Sequence, residues 1–346
     1  MSLIIRYFPV TLNLKRRFTI SRWSRDTTEN LFIEIEKDGI IGIGEAAPNK
    51  RFGETQQSAS AFFDSLDSSS ITNPYDVEAC ISYMASVNPG EFAAKAAFEM
   101  ALHDWVGKKL GVATHALLQA PSPIGPKTSY TIGIDHPETI PEKVLEAEAY
   151  PILKVKLGSD HDREIIKQVR SVTNKPIWVD VNEGWKTFEH ARDQVRFLID
   201  HNVELIEQPM PAGVHDEMRK LKSFSSVPIV ADESFTGKEN LEELAKEYDA
   251  INIKLMKIGS ISHSLRHLHQ ARKAGLKVMV GCMVESSLAD TATAILSLWA
   301  DYADLDGHLL ITDDPCTGLK INERGEVVLN NKPGLGVEFV NSIVPK

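Results

Sequence analysis

Five short apolar runs between residues 152 and 258 each end in a charged side chain, and they recur about every 25 residues. The charged residues are Lys156, Asp180, Glu207, Asp232 and Lys254. An interval of this length fits one strand, one helix and two loops, so the segment predicts a repeated strand–helix unit. A (β/α)8 barrel brings the carboxyl ends of its parallel strands to one face, where active sites lie. We therefore predict an α/β fold with a TIM-type barrel and these side chains at its mouth.

Carboxylates and lysines in this arrangement favour metal-assisted proton transfer. Hard divalent cations such as Mg²⁺ take oxygen ligands, so three carboxylates suit such an ion. Lysines held beside the ion suit proton transfer at a carbon that the metal acidifies. The predicted metal ligands are Asp180, Glu207 and Asp232. The predicted catalytic residues are Lys156, Lys254 and Lys154.

Two simpler explanations compete with a metal site. A charged residue at the end of any one strand is usually a solvated loop residue, but five at the barrel period argue against coincidence. An ion-pair network that only stabilises the barrel mouth would also combine lysines with carboxylates. The set contains no arginine, the usual choice for structural ion pairs, and this argues against the second explanation.

The sequence around these residues resembles the enolase superfamily, in its muconate-lactonising and dipeptide-epimerase branch. That family has K-x-K on the second barrel strand, metal-binding carboxylates on the third, fourth and fifth, and a lysine on the sixth. The matching strings here are KVK at 154–156, DVNEGW at 180–185, IEQP at 206–209, ADES at 231–234 and NIKLMKIG at 252–259. The resemblance covers nearly the whole chain and implies a Mg²⁺-dependent enzyme.

An acidic pair distinguishes the branches of this family. Asp304 and Asp306 lie two residues apart on the predicted eighth strand, so their side chains point to the same side of it. An acidic loop is the simpler interpretation. In dipeptide epimerases, however, a D-x-D at this strand binds the α-ammonium group of the substrate. The resemblance therefore implies a dipeptide epimerase, an isomerase that inverts the α-carbon of the C-terminal residue through an enediolate.

Two lysines on opposite faces of a planar intermediate would remove the α-proton from one side and return it from the other. A nearby cation disfavours the protonated form of a lysine, so Lys156, beside Lys154 and the metal, is expected to act as a base. Muconate cycloisomerase, o-succinylbenzoate synthase and N-acylamino acid racemase are the alternative activities. A non-catalytic small-molecule binding protein on the same fold is the non-enzymatic alternative.

Substrate choice is predicted to depend on a polar loop from Thr19 to Thr28. Family members that act on Ala-Glu use an arginine of this loop to pair with the glutamate side chain. That position here holds Trp23, which predicts a pocket for a small or apolar side chain, as in Ala-Ala. A shift of one residue would place Arg22 or Arg25 in the pocket and favour Ala-Glu. Trp23 and Arg25 are therefore the predicted specificity residues.

Length and charge restrict the remaining possibilities. A chain of 346 residues allows two domains. Its formal net charge of −10 would repel a phosphate backbone, so we expect no nucleic-acid partner. We find no signal peptide and no stretch of about 18 apolar residues, and three cysteines without metal-site spacing suit a reducing compartment. The expectation is a cytoplasmic homo-oligomer without a membrane partner.

The domain pattern follows from the order of strand and helix signals. Residues 1–121 predict an α+β cap, with an antiparallel meander followed by helices. A proline-rich linker at 120–126 marks the boundary. Residues 122–311 predict the barrel, with 128–134, 276–282 and 302–311 as its first, seventh and eighth strands. Turn-rich residues 312–346 are expected to return to the cap.

Overall fold

Three long antiparallel strands open the chain in the computed structural model, which describes residues 3–340. They are β1 (Ile4–Ile20), β2 (Trp23–Lys37) and β3 (Ile40–Ala46), paired in that order. Helices α1 (Gln56–Asp64), α2 (Val77–Val87), α3 (Phe92–Leu110) and α4 (Thr114–Leu117) follow. This antiparallel sheet with its helices forms the predicted α+β cap.

The hairpin between β1 and β2 differs from the prediction of a polar loop. Strand pairing continues to Ile20 and resumes at Trp23, so only Ser21 and Arg22 form the turn. The segment 19–28 therefore lies almost wholly in strands. Its threonine, isoleucine and tryptophan residues favour extended backbone, and its polar side chains are accommodated because an antiparallel sheet can face water on one side.

Helix α3 joins the cap to the barrel and is buried on nearly every side. Its small residues let β3 approach closely: a Cβ atom on Gly44 would lie 1.9 Å from the carbonyl oxygen of Ala97. On the barrel side, Glu99 Oε2 accepts a hydrogen bond of 2.7 Å from the amide of Ile261. A buried helix with contacts on both sides fixes the cap over the barrel.

A short strand, β4 (Ile124–Lys127), leads into eight parallel strands. They are β5 (Ser129–Ile132), β6 (Ile152–Lys156), β7 (Ile177–Asp180), β8 (Val203–Glu207), β9 (Ile229–Ala231), β10 (Ala250–Lys254), β11 (Lys277–Gly281) and β12 (Tyr302–Asp304). They are hydrogen-bonded in sequence order. A parallel bridge between Thr128 and Ala303 joins the two edges. The predicted (β/α)8 barrel with an α+β cap is confirmed.

Helices connect the barrel strands and pack outside them. They are α5 (Ile140–Glu146), α6 (Asp162–Val172), α7 (Phe188–Asp200), α8 (His215–Phe224), α9 (Leu241–Leu244), α10 (Leu255–Ile258), α11 (Ile261–Lys273) and α12 (Ser287–Ser297). In α6, for example, Ile165, Ile166 and Val169 recur at helical spacing and are buried in the same core as the strands. None of the helices in residues 3–340 has the length and apolar composition needed to cross a membrane.

The segment after the barrel touches both parts of the molecule. Strands β13 (Cys316–Thr317) and β16 (Glu338–Phe339) pair with each other, and β14 (Lys320–Ile321) and β15 (Glu326–Val328) extend a small sheet with β4. The Phe339 ring lies 6.2 Å from that of Phe32 in the cap, measured between centroids. The amide of Leu335 donates to Asp104 of α3.

Candidate active site

Three carboxylates meet at the carboxyl ends of neighbouring barrel strands. Asp180 is the last residue of β7, Glu207 is the last residue of β8, and Asp232 follows β9 directly. Each offers one ligand atom, and these atoms all lie within 4.8 Å of one another. All three residues are buried. The donor set is all oxygen and tightly grouped, so it fits a hard divalent cation such as Mg²⁺.

Each carboxylate of this group is contacted by a lysine. Lys156 Nζ lies 2.6 Å from Asp180 Oδ2, and Lys254 Nζ lies 2.7 Å from Asp232 Oδ2. The fully buried Lys154 lies 2.6 Å from Glu207 Oε2, as an ion pair rather than an aligned hydrogen bond. The structure thus brings together all six residues that the sequence predicted for metal binding and proton transfer.

Lys156 and Lys254 reach the carboxylate group from opposite sides of the barrel. Lys156 ends β6 and Lys254 ends β10, and four steps around an eight-stranded barrel separate these strands in either direction. The carboxylates come from the strands between them on one side. Two lysines placed in this way can face opposite sides of one bound substrate.

Lys257, in α10, is part of the site and was missed in the sequence. Its Nζ lies 2.6 Å from Asp232 Oδ1 and donates to the carbonyl oxygens of Asp232, at 2.7 Å, and Asn252, at 3.0 Å. Asn252 Nδ2 in turn donates to Glu207 Oε1 at 2.9 Å. The only available signal was a second lysine in the string NIKLMK, and only the fold shows where its side chain goes.

Burial and lysine charges set the protonation of these acids. Burial favours a neutral Asp180, but Lys156 and Lys154 outweigh it and lower the pKa of Asp180 to about 2. Burial opposes ionisation of Asp232 in the same way, and Lys254 and Lys257 hold its pKa well below the usual range. Both carboxylates are therefore ionised at neutral pH, as metal ligands must be.

Asp304, the last residue of β12, and Asp306, two residues after it, line one cleft with Lys156, Asp232 and Lys254. Asp304 Oδ1 accepts a hydrogen bond of 2.6 Å from Ser129 Oγ, and its Oδ2 lies 2.6 Å from Lys154 Nζ. Asp306 Oδ2 accepts one of 2.6 Å from the amide of Thr131. Burial and the neighbouring Asp304 raise the pKa of Asp306 to about 7. Among the described residues, Asp304 has a lysine partner and Asp306 has none.

The outer wall of this cleft comes from the β1–β2 hairpin. Phe18, Trp23 and Arg25 line it. The Arg25 guanidinium lies over the Trp23 ring, 4.5 Å from its centroid. Within residues 3–340, the Arg25 side chain makes no hydrogen bond or ion pair, and its Nε is buried without a partner. Burial lowers the pKa of Arg25 to about 10, so it remains cationic at neutral pH.

A second group of charges lies where the cap meets the barrel mouth. Arg22 and Arg51 of the cap contact Glu183 and Glu233, which lie in the loops after β7 and β9. The strings DVNEGW and ADES contain these two acids, but nothing in the sequence indicated their partners. Only the docking of the cap, more than a hundred residues away in sequence, brings the arginines to them.

The family comparison agrees with this arrangement. Residues 4–119 match the mandelate racemase / muconate lactonizing enzyme N-terminal domain, and residues 140–343 match the enolase C-terminal domain-like family. The chain belongs to the enolase superfamily. Its relatives within this superfamily include dipeptide epimerases.

One relative is an L-Ala-D/L-Glu epimerase of Bacteroides thetaiotaomicron, 40% identical over 96% of this chain and 86% of that protein. A hydrophobic dipeptide epimerase of a Flavobacteria bacterium is 38% identical over 89% of this chain and 90% of that protein. Among solved structures of the superfamily, a Cytophaga hutchinsonii dipeptide epimerase with Mg and D-Ala-L-Val has a TM-score of 0.92. It is 27% identical and covers 99% of this chain and 97% of that chain.

Proposed function

We propose that the protein is a Mg²⁺-dependent dipeptide epimerase, an isomerase that inverts the α-carbon of the C-terminal residue of its substrate. The observation that carries this proposal is the presence of three groups in one site: the carboxylates of Asp180, Glu207 and Asp232, the opposed lysines, and the acid pair of β12. The relatives named above support the same activity.

The lysines carry out the proton transfers. Lys156 takes the α-proton from one face of the substrate, and Lys254 delivers a proton to the other face, or the reverse for the opposite epimer. Each is held by a carboxylate of the central group, so the position of its amine is fixed before the substrate arrives. A positioned acid–base group of this kind contributes about 10²–10⁴ in rate.

Asp180, Glu207 and Asp232 are the proposed ligands of the cation. A bound Mg²⁺ supplies positive charge that stabilises a negative substrate carboxylate and disfavours the protonated forms of nearby lysines. Lys154 and Lys257 are fully or almost fully buried, and each touches a carboxylate of this group. They hold the ligands in place rather than meet the substrate.

The acid pair selects substrates with a free amino group. Asp306 has a carboxylate in the cleft that no lysine of residues 3–340 neutralises, and Asp304 lies beside it. An ammonium group between them would gain charge-assisted hydrogen bonds, which N-acylated substrates, muconate and succinylbenzoate cannot provide. The pair therefore favours a dipeptide over those alternative substrates.

The side chain of the epimerised residue is proposed to meet the hairpin wall. The Arg25 side chain has no partner within the described part of the chain, so an acidic side chain, as in Ala-Glu, would pair with it. Phe18 and Trp23 offer apolar surface in the same wall and favour the second candidate, an Ala-Ala-like or other apolar dipeptide. We favour Ala-Glu, because Arg25 is partly buried and an acidic side chain would compensate for the lost hydration of its guanidinium group.

We also propose that the protein acts in the cytoplasm and assembles as a homo-oligomer. Its three cysteines, Cys80, Cys282 and Cys316, are free thiols, as is usual in a reducing compartment. Most soluble oligomers consist of copies of one chain.

A mixed dipeptide library in heavy water tests the proposed reaction. We expect Mg²⁺-dependent deuterium uptake at the α-carbon of the C-terminal residue, detected by mass spectrometry. N-acetylated amino acids and N-acetylated dipeptides serve as matched substrates without an ammonium group. Faster turnover of an N-acetylated amino acid than of any free dipeptide would exclude the dipeptide assignment. If no member of a broad panel takes up deuterium at its α-carbon, the proposal that the protein is an enzyme of this class is excluded.

A further inference from the structure

The turn of the β1–β2 hairpin is bonded to the barrel loops that follow β7 and β9. Ser21 Oγ donates to the carbonyl oxygen of Asn182 at 2.8 Å. Arg22 Nη1 donates to the same oxygen at 2.7 Å and to Glu183 Oε2 at 3.1 Å. Arg22 Nη2 donates to Glu233 Oε1 at 2.7 Å. One arginine thus contacts both acids and a backbone carbonyl.

The barrel surface that receives the turn is built for close approach. Asn182 and Glu183 have φ angles of 46° and 66°, in the left-handed region that non-glycine residues rarely adopt. Such strain persists where the surroundings impose it. Gly158 lies under the turn, and a Cβ atom there would be 2.8 Å from Cβ of Ser21. The turn and the barrel surface are therefore complementary in shape, which a chance surface contact would not be.

Glu183 is fixed independently of the hairpin. Arg51 Nε, from the loop before α1, donates to Glu183 Oε2 at 3.0 Å, and the amide of Ala212 donates to its Oε1 at 3.0 Å. The side chains of Glu183 and Glu233 are only 8% and 3% exposed, whereas that of Arg22 is 27% exposed. Ion pairs of buried acids are screened much less than pairs between exposed groups.

The hairpin carries the wall of the cleft and has a second contact with the barrel, where the amide of Ile134 donates to the carbonyl oxygen of Thr19 at 3.0 Å. Trp23 follows Arg22 directly and pairs with Ile20 across the turn, and Arg25 pairs with Phe18. Within the described residues, the Arg25 side chain makes no hydrogen bond or ion pair and rests on the Trp23 ring. Because Arg22 is next to Trp23 and three residues before Arg25, its contacts bear directly on the positions of both over the barrel.

We propose that Arg22 is a positioning residue that seats the hairpin over the barrel mouth, so that Trp23 and Arg25 meet the substrate side chain. Its role in substrate choice rests on the proposed function, whereas its role in seating the hairpin does not. Arg22 acts through the hairpin and takes no part in proton transfer. Its loss should weaken substrate binding and selectivity more than the chemical step.

The test compares Arg22→Gln with Arg17→Gln, both loaded with Mg²⁺. Arg17 lies on β1 of the same hairpin, but its side chain is 67% exposed and its nearest acid, Asp26, is 3.7 Å away. Hydrogen–deuterium exchange of the amides of 16–28 reports seating without substrate. We expect Arg22→Gln to accelerate this exchange at least tenfold and Arg17→Gln to leave it at the wild-type rate.

Kinetics with the best dipeptide found for the wild type give the second readout. Hydrogen bonds to charged groups are worth enough for a change of roughly 10- to 100-fold. We expect Arg22→Gln to raise KM by that factor while kcat changes by less than about threefold. The differences in kcat/KM among dipeptides with different C-terminal side chains should become smaller. If the wild type turns over no dipeptide, the proposed function fails, and the exchange experiment still decides the role of Arg22.

Two milder variants keep the proposal testable if Arg22→Gln does not fold. Ser21→Ala removes one bond of the seat, and Arg22→Lys keeps the charge but cannot reach both acids with a planar group. Both should show intermediate hydrogen exchange and intermediate KM. Wild-type exchange and KM in the Arg22 variants would overturn the proposal. A loss of kcat at unchanged KM and unchanged exchange would overturn it as well.

Discussion

The barrel mouth and the cap hairpin form two sides of one cleft but are held in different ways. At the mouth, Lys156, Asp180, Glu207 and Lys254 are the last residues of their strands, so strand pairing alone places them. The hairpin reaches the cleft through contacts with distant segments: its turn binds loops about 160 residues further along the chain, and Thr19 accepts a hydrogen bond from the amide of Ile134. The proposed chemistry therefore depends on a regular repeat, and the proposed choice of substrate depends on long-range docking.

The largest expected effect concerns the metal group at the barrel mouth. Asp232→Asn removes a predicted ligand and leaves the buried Lys254 and Lys257 without their common partner. We expect turnover to fall by at least roughly 1000-fold, since metal assistance is worth several kcal/mol and each 1.36 kcal/mol is tenfold. The free energy of unfolding should fall by roughly 3–5 kcal/mol.

Epimerisation assays, Mg²⁺ titration calorimetry and denaturant unfolding measure these changes. The exposed Asp160 provides a matched control, because Asp160→Asn makes the same chemical change away from the site. Retained Mg²⁺ affinity and turnover in Asp232→Asn would show that the carboxylate group only stabilises the barrel.

The acid pair at the end of β12 is proposed to bind the substrate without taking part in proton transfer. Asp306→Asn should lower kcat/KM for free dipeptides by roughly 10- to 100-fold, the value of a charge-assisted hydrogen bond. Mg²⁺ affinity should remain. Asp304→Asn should lower kcat/KM by a larger factor, because Asp304 also forms an ion pair with Lys154. Equal loss of Mg²⁺ affinity in both variants would contradict a role in ammonium binding.

The sequence indicated the barrel mouth more completely than the hairpin. Apolar runs that end in Asp180 or Glu207 carry a local signal, because a strand end and a chemical group coincide there. Lys257 and the Arg22–Glu183 pair carry no local signal, since their partners are defined only when separate segments meet. The alternation of the hairpin segment was hidden by its charged residues, so a strand was mistaken for a loop.

The hairpin itself is tested by Arg25→Leu, which exchanges the unpaired cation for apolar surface. We expect the ratio of kcat/KM for L-Ala-L-Glu to that for L-Ala-L-Leu to fall roughly 10- to 100-fold. Turnover of the better substrate should stay within about tenfold of the wild type, because the lysines are untouched. An unchanged ratio would assign the choice of side chain to Trp23 and the apolar wall.

The smallest expected effect is a pH dependence that belongs to Asp306. Its raised pKa, about 7, means that the carboxylate protonates as pH falls below 7 and then no longer binds a cation. We expect kcat/KM for free dipeptides to fall by up to tenfold per pH unit there. Above about pH 8 it should fall again, as the α-amino group loses its proton. In Asp306→Asn, the fall of kcat/KM below pH 7 should disappear. If this fall persists in the variant, a group other than Asp306 causes it.

Face-specific exchange in the two lysine variants tests the central claim most directly. Lys156→Ala and Lys254→Ala are each incubated with Mg²⁺ in heavy water with either epimer of one dipeptide, and α-proton loss is followed by NMR. We predict that neither variant epimerises. Each should exchange the α-proton of one epimer only, with opposite preference, and bind Mg²⁺ as the wild type does. Exchange of both epimers by either variant, or an equal loss of Mg²⁺ binding in both, would contradict the assignment of one lysine to each face.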